Sequence, residues 1–133
     1  MSSLTIDPNV VVQLGLLEYQ AGNFSEAAQW WQGVAKDGHA QAQLYLGTLY
    51  YNGKGVSQSY ERAFDWFTKS AEQGNAQAQY SLGLCYERGN GVTQSPQDAL
   101  EWYLKAAKQG NEKAQAKIDS LLGTSRGPGR EKS

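Results

Sequence analysis

The sequence predicts an all-α protein, a right-handed α/α superhelix (solenoid) of about three helix-turn-helix repeats followed by a C-terminal capping helix. The first observation is a self-match, because residues 40–75 align with residues 76–111 without a gap and 19 of 36 positions are identical. Typical residue usage gives about 6% identity by chance. The second is that apolar residues recur at helical spacing in both halves of each repeat. The third is a glycine-broken loop between the two halves.

The first unit, about residues 8–38, has recognisable signals at its helix ends. Asp7 and Pro8 place an N-cap before a first-turn proline, which predicts that the first helix begins there. Asn23 followed by Glu26 fits a variant of the capping box and predicts the start of the second helix. Gly38 lies where a left-handed C-cap glycine ends that second helix.

The second and third units, residues 40–75 and 76–111, each read as two helices around a loop. Ala42, Leu46 and Tyr50 share one helical face, and their counterparts repeat 36 residues later. Ser95 before Pro96 predicts the start of the last second helix. In addition, Gly74 and Gly110 occupy the same C-cap position as Gly38.

The repeat register continues past residue 111 for half a unit and then stops. Ala114, Gln115 and Ile118 continue the pattern of the first helix, so residues 112–122 are predicted to cap the core of the repeat domain 1–122. Residues 123–133 are polar and glycine-rich, and a flexible tail is expected there. The predicted helices are 8–21, 24–37, 40–52, 60–73, 76–88, 96–109 and 112–122.

Glycines inside helices and repeated aromatic residues predict how the helices pack. Gly47 and Gly83 lie in helix interiors, where glycine costs about 1 kcal/mol relative to alanine. We therefore expect a partner helix to approach closely there, under the bulk of Trp66 or Trp102. These two tryptophans and Trp30 share one repeat position and are predicted to be core residues. The next position holds Trp31, Phe67 and Tyr103 and is predicted to be a second packing position.

Composition and charge exclude several classes of partner. Hydrophobic residues make up 40% of the chain, and the formal net charge is −1, as in soluble globular proteins. Nucleic acids and anionic membranes need a strongly basic face, so neither is an expected partner. No apolar run approaches the ~20 residues that span a bilayer. Residues 1–7 carry no basic residue and do not resemble a signal peptide, so a cytoplasmic location is expected.

The sequence offers no constellation for catalysis, a metal or a cofactor. The single cysteine, Cys85, excludes an internal disulfide framework and a cysteine-based zinc site, and its alignment with Leu49 predicts a small buried residue. His39 is expected to be a surface or capping residue, since one histidine makes no metal site. Gly53, Lys54 and Gly55 lack the full arrangement of a phosphate loop. With no nucleophile–base or paired-acid arrangement, an enzyme is not expected.

The conserved pattern within the two units resembles the Sel-one-like repeat (SLR) family. Its elements are Ala-x-Ala-Gln-x-x-Leu-Gly-x-x-Tyr, Gly-x-Gly-Val, Ala-x-x-Trp and Ala-x-x-Gly-Asn, which residues 40–111 carry almost completely. In the first unit Ala27 follows Gly15 by only 12 positions, where the equivalent step in the later units is 16 positions, and this unit resembles the related tetratricopeptide repeat. The resemblance implies a solenoid that acts as an adaptor or scaffold and binds partners on its concave face.

Positions that diverge between the matched units predict the binding face. Leu44, Thr48, Tyr51 and Asn52 are replaced by different residues 36 positions later, and they form one stripe of the first helix, away from its core face. The resemblance implies that this stripe lines the concave groove. The candidate partner-binding residues are Val12, Leu16, Tyr19, Gln41, Leu44, Thr48, Tyr51, Asn52, Gln77, Tyr80, Leu84, Glu87, Arg88 and Lys113. Alternatively, the divergence marks only solvated positions, or the same patch mediates self-association.

The repeat architecture and the predicted binding face support two functional hypotheses. The first is an adaptor or scaffold that holds a protein or peptide in the groove, where alanine at Tyr51 and Tyr80 is expected to weaken binding and leave the fold intact. The second is an immunity protein that neutralises a secreted toxin by direct binding. The small size and small number of repeats allow the second hypothesis, and nothing in the sequence demands it.

Overall fold

The computed structural model describes residues 6–123, and this part of the chain contains seven α-helices and no strand. The helices are α1 Pro8–Gln20, α2 Phe24–Lys36, α3 Ala40–Asn52, α4 Tyr60–Glu72, α5 Ala76–Arg88, α6 Pro96–Lys108 and α7 Glu112–Leu121. Every predicted helix is present, and every end lies within one residue of the predicted one. The flexible tail expected at the C-terminus lies, except for Gly123, outside the described residues.

Each helix packs chiefly against the helices before and after it in the chain. The helices therefore form the hairpins α1–α2, α3–α4 and α5–α6, and α7 packs against α6. Contacts that link only neighbouring elements are the hallmark of a solenoid. The all-α solenoid predicted from the sequence is confirmed. No helix between residues 6 and 123 is long and apolar enough to cross a membrane.

Most helix ends use the capping groups that the sequence indicates. The Asp7 carboxylate accepts a hydrogen bond from the backbone N–H of Asn9 at 2.8 Å, and the Ser95 hydroxyl accepts one from the backbone N–H of Asp98. Gly38 has a φ of +102°, and the glycines 36 and 72 residues later are equally left-handed.

Two further predictions about helix starts have opposite outcomes. His39 caps α3, because its Nδ1 accepts a hydrogen bond from the Ala42 amide. The capping box predicted at Asn23 is wrong, because its side chain makes no hydrogen bond to α2. The Asn23 amide instead donates to Glu18 Oε1 at 2.9 Å, which ties the start of α2 to the end of α1.

The helical glycines mark close contacts between paired helices, with a different aromatic residue from the one predicted. A Cβ atom at Gly47 would lie 2.8 Å from the Phe67 ring, and one at Gly83 would lie 2.5 Å from the Tyr103 ring. Gly15 and Trp31 repeat this contact in the first hairpin. The second packing position therefore supplies the central aromatic ring of each hairpin, rather than the preceding tryptophan.

The prediction that all three repeated tryptophans are core residues is wrong for Trp30. Trp30 is 37% exposed, whereas its neighbour Trp31 is 1% exposed. Trp66 and Trp102 are half-buried at the edge of the core. Successive helical residues point about 100° apart, so only one of two adjacent aromatic residues reaches the gap that the glycine leaves on the partner helix. We call this gap the glycine notch.

Buried glutamines link successive hairpins. The Gln43 amide donates to the Ala35 carbonyl at 3.0 Å, and its oxygen accepts from the Gln73 amide at 2.9 Å. Gln79 makes the same pair of bonds one repeat later, to the equivalent groups. Each of these carbonyls also accepts a bond from the backbone N–H of the glycine three residues later, so the glutamine adds a second donor. The buried glutamine side chains are thereby paired inside the stack, where an unpaired polar group is costly.

Candidate partner-binding groove

Two adjoining depressions lie along one side of the stack, and we call them together the groove. The first encloses about 220 Å³ and is lined by Leu16, Tyr19, Trp31, Leu44, Tyr45, Thr48 and Gln77. The second encloses about 170 Å³ and is lined by Thr48, Tyr51, Phe67, Gln77, Tyr80, Ser81 and Leu84. Thr48 and Gln77 border both depressions, so the groove runs continuously across three hairpins.

The first helices of the hairpins supply the walls of the groove, and the second helices supply its floor. Leu16, Thr48 and Gln77 come from α1, α3 and α5. The floor consists of Trp31 and Phe67, the two aromatic rings that fill the glycine notches. Because the repeat register fixes these positions, the groove follows directly from how the hairpins stack.

The structure brings together eight of the fourteen residues predicted from the sequence. These are Leu16, Tyr19, Leu44, Thr48, Tyr51, Gln77, Tyr80 and Leu84. Six lie outside both depressions: Val12, Gln41, Asn52, Glu87, Arg88 and Lys113. Gln41 is half-buried and accepts a hydrogen bond from the Asn75 amide, whereas Asn52 and Lys113 are exposed.

Val12 is not available to a partner, which corrects the prediction that it lies on the binding face. Its side chain is only 3% exposed and belongs to the core. Its carbonyl accepts a hydrogen bond from Trp31 Nε1 at 3.1 Å. Leu44 takes the same repeat position in α3 and is also a core residue, because it borders the first depression with only 4% of its surface exposed. The prediction that Leu44 is available to a partner is therefore wrong as well.

Glu87 is occupied by contacts within the protein. The Tyr103 hydroxyl donates a hydrogen bond to Glu87 Oε1, and Lys117 Nζ lies 3.4 Å from the same oxygen. Burial, together with this hydrogen bond, raises the pKa of Tyr103 above its usual range. Glu87 therefore joins α5 to α6 and α7, and this role opposes its assignment to partner binding.

Arg88 is likewise held by a neighbouring side chain. Arg88 Nη1 donates to the Tyr51 hydroxyl at 3.1 Å, and the Asn90 amide donates to the same oxygen at 2.7 Å. The hydrogen bond to Tyr51 raises the pKa of Arg88. The Tyr51 ring also packs against Tyr60, with 4.9 Å between the ring centroids. Alanine at Tyr51 is therefore expected to destabilise the fold, contrary to the prediction from the sequence.

Sequence reasoning missed four groove residues. Trp31 and Phe67 are packing residues, as the sequence predicts, and the two depressions also reach down to their rings. Tyr45 and Ser81 occupy the same repeat position, and the Tyr45 ring lies 4.8 Å from the Trp31 ring. This position also diverges between the units, so the signal used for the adjacent stripe was present here.

The groove residues offer apolar and aromatic surface with a few neutral polar groups, and neither Cys85 nor a metal site contributes to it. Cys85 is fully buried as predicted, and its burial raises the pKa of the thiol to about 12. Within residues 6–123, no three His, Cys, Asp or Glu side chains are grouped to hold a metal ion. An apolar surface with a few neutral polar groups is suited to holding apolar or aromatic side chains.

The stacked hairpins and the groove across their first helices define an α/α repeat protein. The Sel1 repeat model matches residues 40–75 and 76–111, more than half of the chain, and the chain belongs to the Sel1 repeat family. The first hairpin lies outside this match, and its helices are joined by residues 21–23, whereas the later hairpins have seven-residue loops. No match was found among curated proteins.

Solved structures share the fold. A protective antigen of uropathogenic Escherichia coli strains that displays an SLR fold is 36% identical, with a TM-score of 0.80 over 91% of this chain. A Sel1 repeat protein from Oxalobacter formigenes is 32% identical, with a TM-score of 0.78 over 86% of this chain. The present chain covers only 28% and 49% of those two chains.

A third similarity shows the fold alone. Cysteine rich protein B of Helicobacter pylori is 19% identical, with a TM-score of 0.68. The match covers 83% of the present chain and 93% of that protein, so this solenoid and its solved counterpart are of similar length.

Proposed function

We propose that the protein is a protein–protein interaction module that holds a segment of a partner in the groove. Sel1 repeat proteins are generally protein–protein interaction modules, and the family is typically a non-enzymatic scaffold. This family role supports binding as the class of function. The groove supports the finer part of the proposal, which is where a partner segment binds and which side chains it offers.

The observation that carries the proposal is the continuity of two apolar depressions across the first helices. Their volumes, about 220 and 170 Å³, lie below the ~300–1,000 Å³ of typical small-molecule pockets. Each depression is suited to an anchoring apolar or aromatic side chain, as at the centres of protein interfaces. Two such sites side by side fit an amphipathic helix or an extended peptide with two spaced anchors.

The groove is best tested by adding bulk and charge at its border, without removing core packing. Gln77 is exposed and Ser81 is half-buried, and both line the second depression. The pair Gln77→Arg and Ser81→Arg is expected to lower partner binding at least tenfold, because two cations then border an apolar site. The measurement is affinity capture from the native cell with quantitative mass spectrometry.

A matched control places the same charges outside the groove. Ser57 and Gln97 are exposed and border neither depression. The pair Ser57→Arg and Gln97→Arg is expected to retain the partner that the unmodified chain captures. If the groove pair retains that partner equally well, the proposed site is wrong.

We also propose a cytoplasmic location. One buried cysteine leaves this small domain without the disulfides typical of secreted domains of similar size. Fractionation of native cells with a tagged chain is expected to place the protein in the soluble intracellular fraction. Recovery from the medium or from the cell surface would contradict this.

A further inference from the structure

Three tryptophans occupy the same position in the three second helices, and the rings of two of them contact a lysine ammonium group of the same helix. Lys69 Nζ lies 5.2 Å from the centre of the Trp66 ring. Lys105 Nζ lies 5.5 Å from the centre of the Trp102 ring. Both distances fall within the range of a cation–π contact. The repeat therefore combines a half-exposed indole with a lysine three residues later on the same helix.

Trp30 has no such lysine. The residue three positions later is Gly33, and a Cβ atom there would meet no atom within 4 Å. Trp30 is 37% exposed, more than either of its half-buried counterparts. Among residues 6–123, no Lys or Arg side chain lies over its ring. The first hairpin thus keeps the indole and leaves open the space that a lysine occupies in the other two.

Two carboxylates line the same depression as this open indole. Glu18, Glu26, Gln29 and Trp30 line an open depression of about 470 Å³. Glu26 lies one turn before Trp30 on α2, and Glu18 reaches the depression from α1. Asn23 donates a hydrogen bond to one oxygen of Glu18, which helps to hold this carboxylate in place. An aromatic face next to two negative charges favours a cation.

We propose that Trp30, Glu18 and Glu26 form a second recognition site, which takes the ammonium group of a lysine side chain from a partner protein. The lysine of the partner would take the place that Lys69 and Lys105 occupy over the equivalent rings. This site shares no residue with the groove, so the two proposals stand or fall separately.

The direct test is a titration followed by the indole N–H signals in a two-dimensional ¹⁵N NMR spectrum. The probe is Nα-acetyl-lysine methylamide, and the uncharged control is the norleucine analogue at matched ionic strength. We expect a saturable shift of the Trp30 signal with a dissociation constant in the millimolar range, because a single exposed cation–π contact is weak. Little change is expected for Trp66 and Trp102, since their lysines already occupy the rings.

Equal shifts of all three signals, or the same shift with norleucine, would overturn the proposal. Saturation by ammonium chloride at the same concentrations as the lysine compound would assign the site to a free ammonium ion, and would also overturn it.

Variants at Gly33 separate this site from a general effect of surface charge. Gly33→Lys supplies the missing lysine internally and is expected to weaken the binding of the probe about tenfold, roughly the effect of one such contact. Gly33→Met has a side chain of similar length without the charge and is expected to keep the affinity within about twofold. If both variants bind the probe as the unmodified chain does, the ring of Trp30 is not the site.

A variant at the indole provides the remaining control. Trp30→Ala is expected to abolish saturable binding of the probe, which is then followed by the shifts of the backbone amides of α2. A thermal melt followed by circular dichroism checks that this variant is folded. If folded Trp30→Ala still binds the probe with unchanged affinity, the carboxylates alone attract it and the proposed site is wrong.

Discussion

Gly33 and Gly47 are both interior helical glycines, and their surroundings predict opposite effects of alanine. Gly47→Ala places a Cβ atom 2.8 Å from the Phe67 ring, so we expect a loss of about 1–3 kcal/mol in unfolding free energy from overpacking. Gly33→Ala meets open space, so we expect a gain of up to about 1 kcal/mol from helix propensity. Urea denaturation measures both changes, and a stabilising effect of Gly47→Ala would contradict the close contact between Gly47 and the Phe67 ring.

The Cys85 thiol should be inert in the native state and should make stability depend on alkaline pH. Burial raises its pKa to about 12 from an ordinary value of 9.0, so the folded thiol stays neutral while the unfolded thiol ionises. The contribution of this thiol to the free energy of unfolding is fully present below pH 9. It falls by about 1.4 kcal/mol for each pH unit as the pH rises from 9 towards 12.

The matched variant for this pH dependence is Cys85→Ala. Urea denaturation at pH 8 and pH 10 is expected to show a steeper loss of stability for the unmodified chain than for Cys85→Ala. The same slope for both proteins would rule out a neutral buried thiol. A thiol reagent at pH 8 should label Cys85 only after unfolding.

At the residue scale, the sequence predicts which residues share a repeat position more reliably than it predicts which of them point into the core. It placed Trp31, Phe67 and Tyr103 at one packing position, and the structure confirms this. It also predicted that Trp30 is a core residue, which is wrong. In a short helix, the spacing of apolar residues does not show which of two adjacent aromatic residues is buried. The glycine on the partner helix determines this, because it makes room for only one of the two rings.

At the scale of helices, equivalent positions of α1 and α3 differ in burial. Leu17 and Leu49 both lie two residues after the notch glycine of their helix, yet Leu17 is 62% exposed and Leu49 is 1% exposed. We expect Leu49→Glu to cost more than about 4 kcal/mol and Leu17→Glu to change stability by less than about 0.5 kcal/mol. Thermal and urea denaturation measure both, and similar costs would contradict the stacking order.

The glutamine bonds between hairpins give a second prediction about the helices. Gln43→Met keeps most of the side-chain volume and removes both hydrogen bonds of the buried Gln43 side chain, the one to the Ala35 carbonyl and the one from Gln73, so we expect a loss of about 1–3 kcal/mol. Gln32→Met, at an exposed position of α2, is the matched control and should be nearly neutral. Equal effects in urea denaturation would show that the buried bonds add nothing.

The helix bounds were predictable because local chemistry fixes most of them. Left-handed glycines, Asp7 and Ser95 act within one turn of the chain, so a sequence pattern contains the whole cause. Asn23 is the exception, because its side chain bonds to Glu18 across the turn between α1 and α2. A side-chain bond back to the preceding helix competes with the cap and leaves no trace in the capping pattern.

At the scale of the whole molecule, the 36-residue register explains why much of the groove was predictable. Leu16, Thr48 and Leu84 each follow the interior glycine of their helix, and all three line the groove, so the stripe that they form is visible in the sequence. Glu87 and Arg88 continue the stripe, yet they bind Tyr103 and Tyr51 instead. These side-chain pairs form between neighbouring helices, and the periodicity of a single helix does not contain them.

The central claim, that the groove holds a partner segment, is tested most directly by mapping where a selected peptide binds. A random peptide library displayed on phage is selected against the chain, and the best peptide is titrated into ¹⁵N-labelled protein. We predict that the largest amide shifts fall on α1, α3 and α5 around Leu16, Thr48 and Gln77, and that Gln77→Arg with Ser81→Arg abolishes them. Shifts confined to helix faces outside the groove, unchanged in that variant, would contradict the claim.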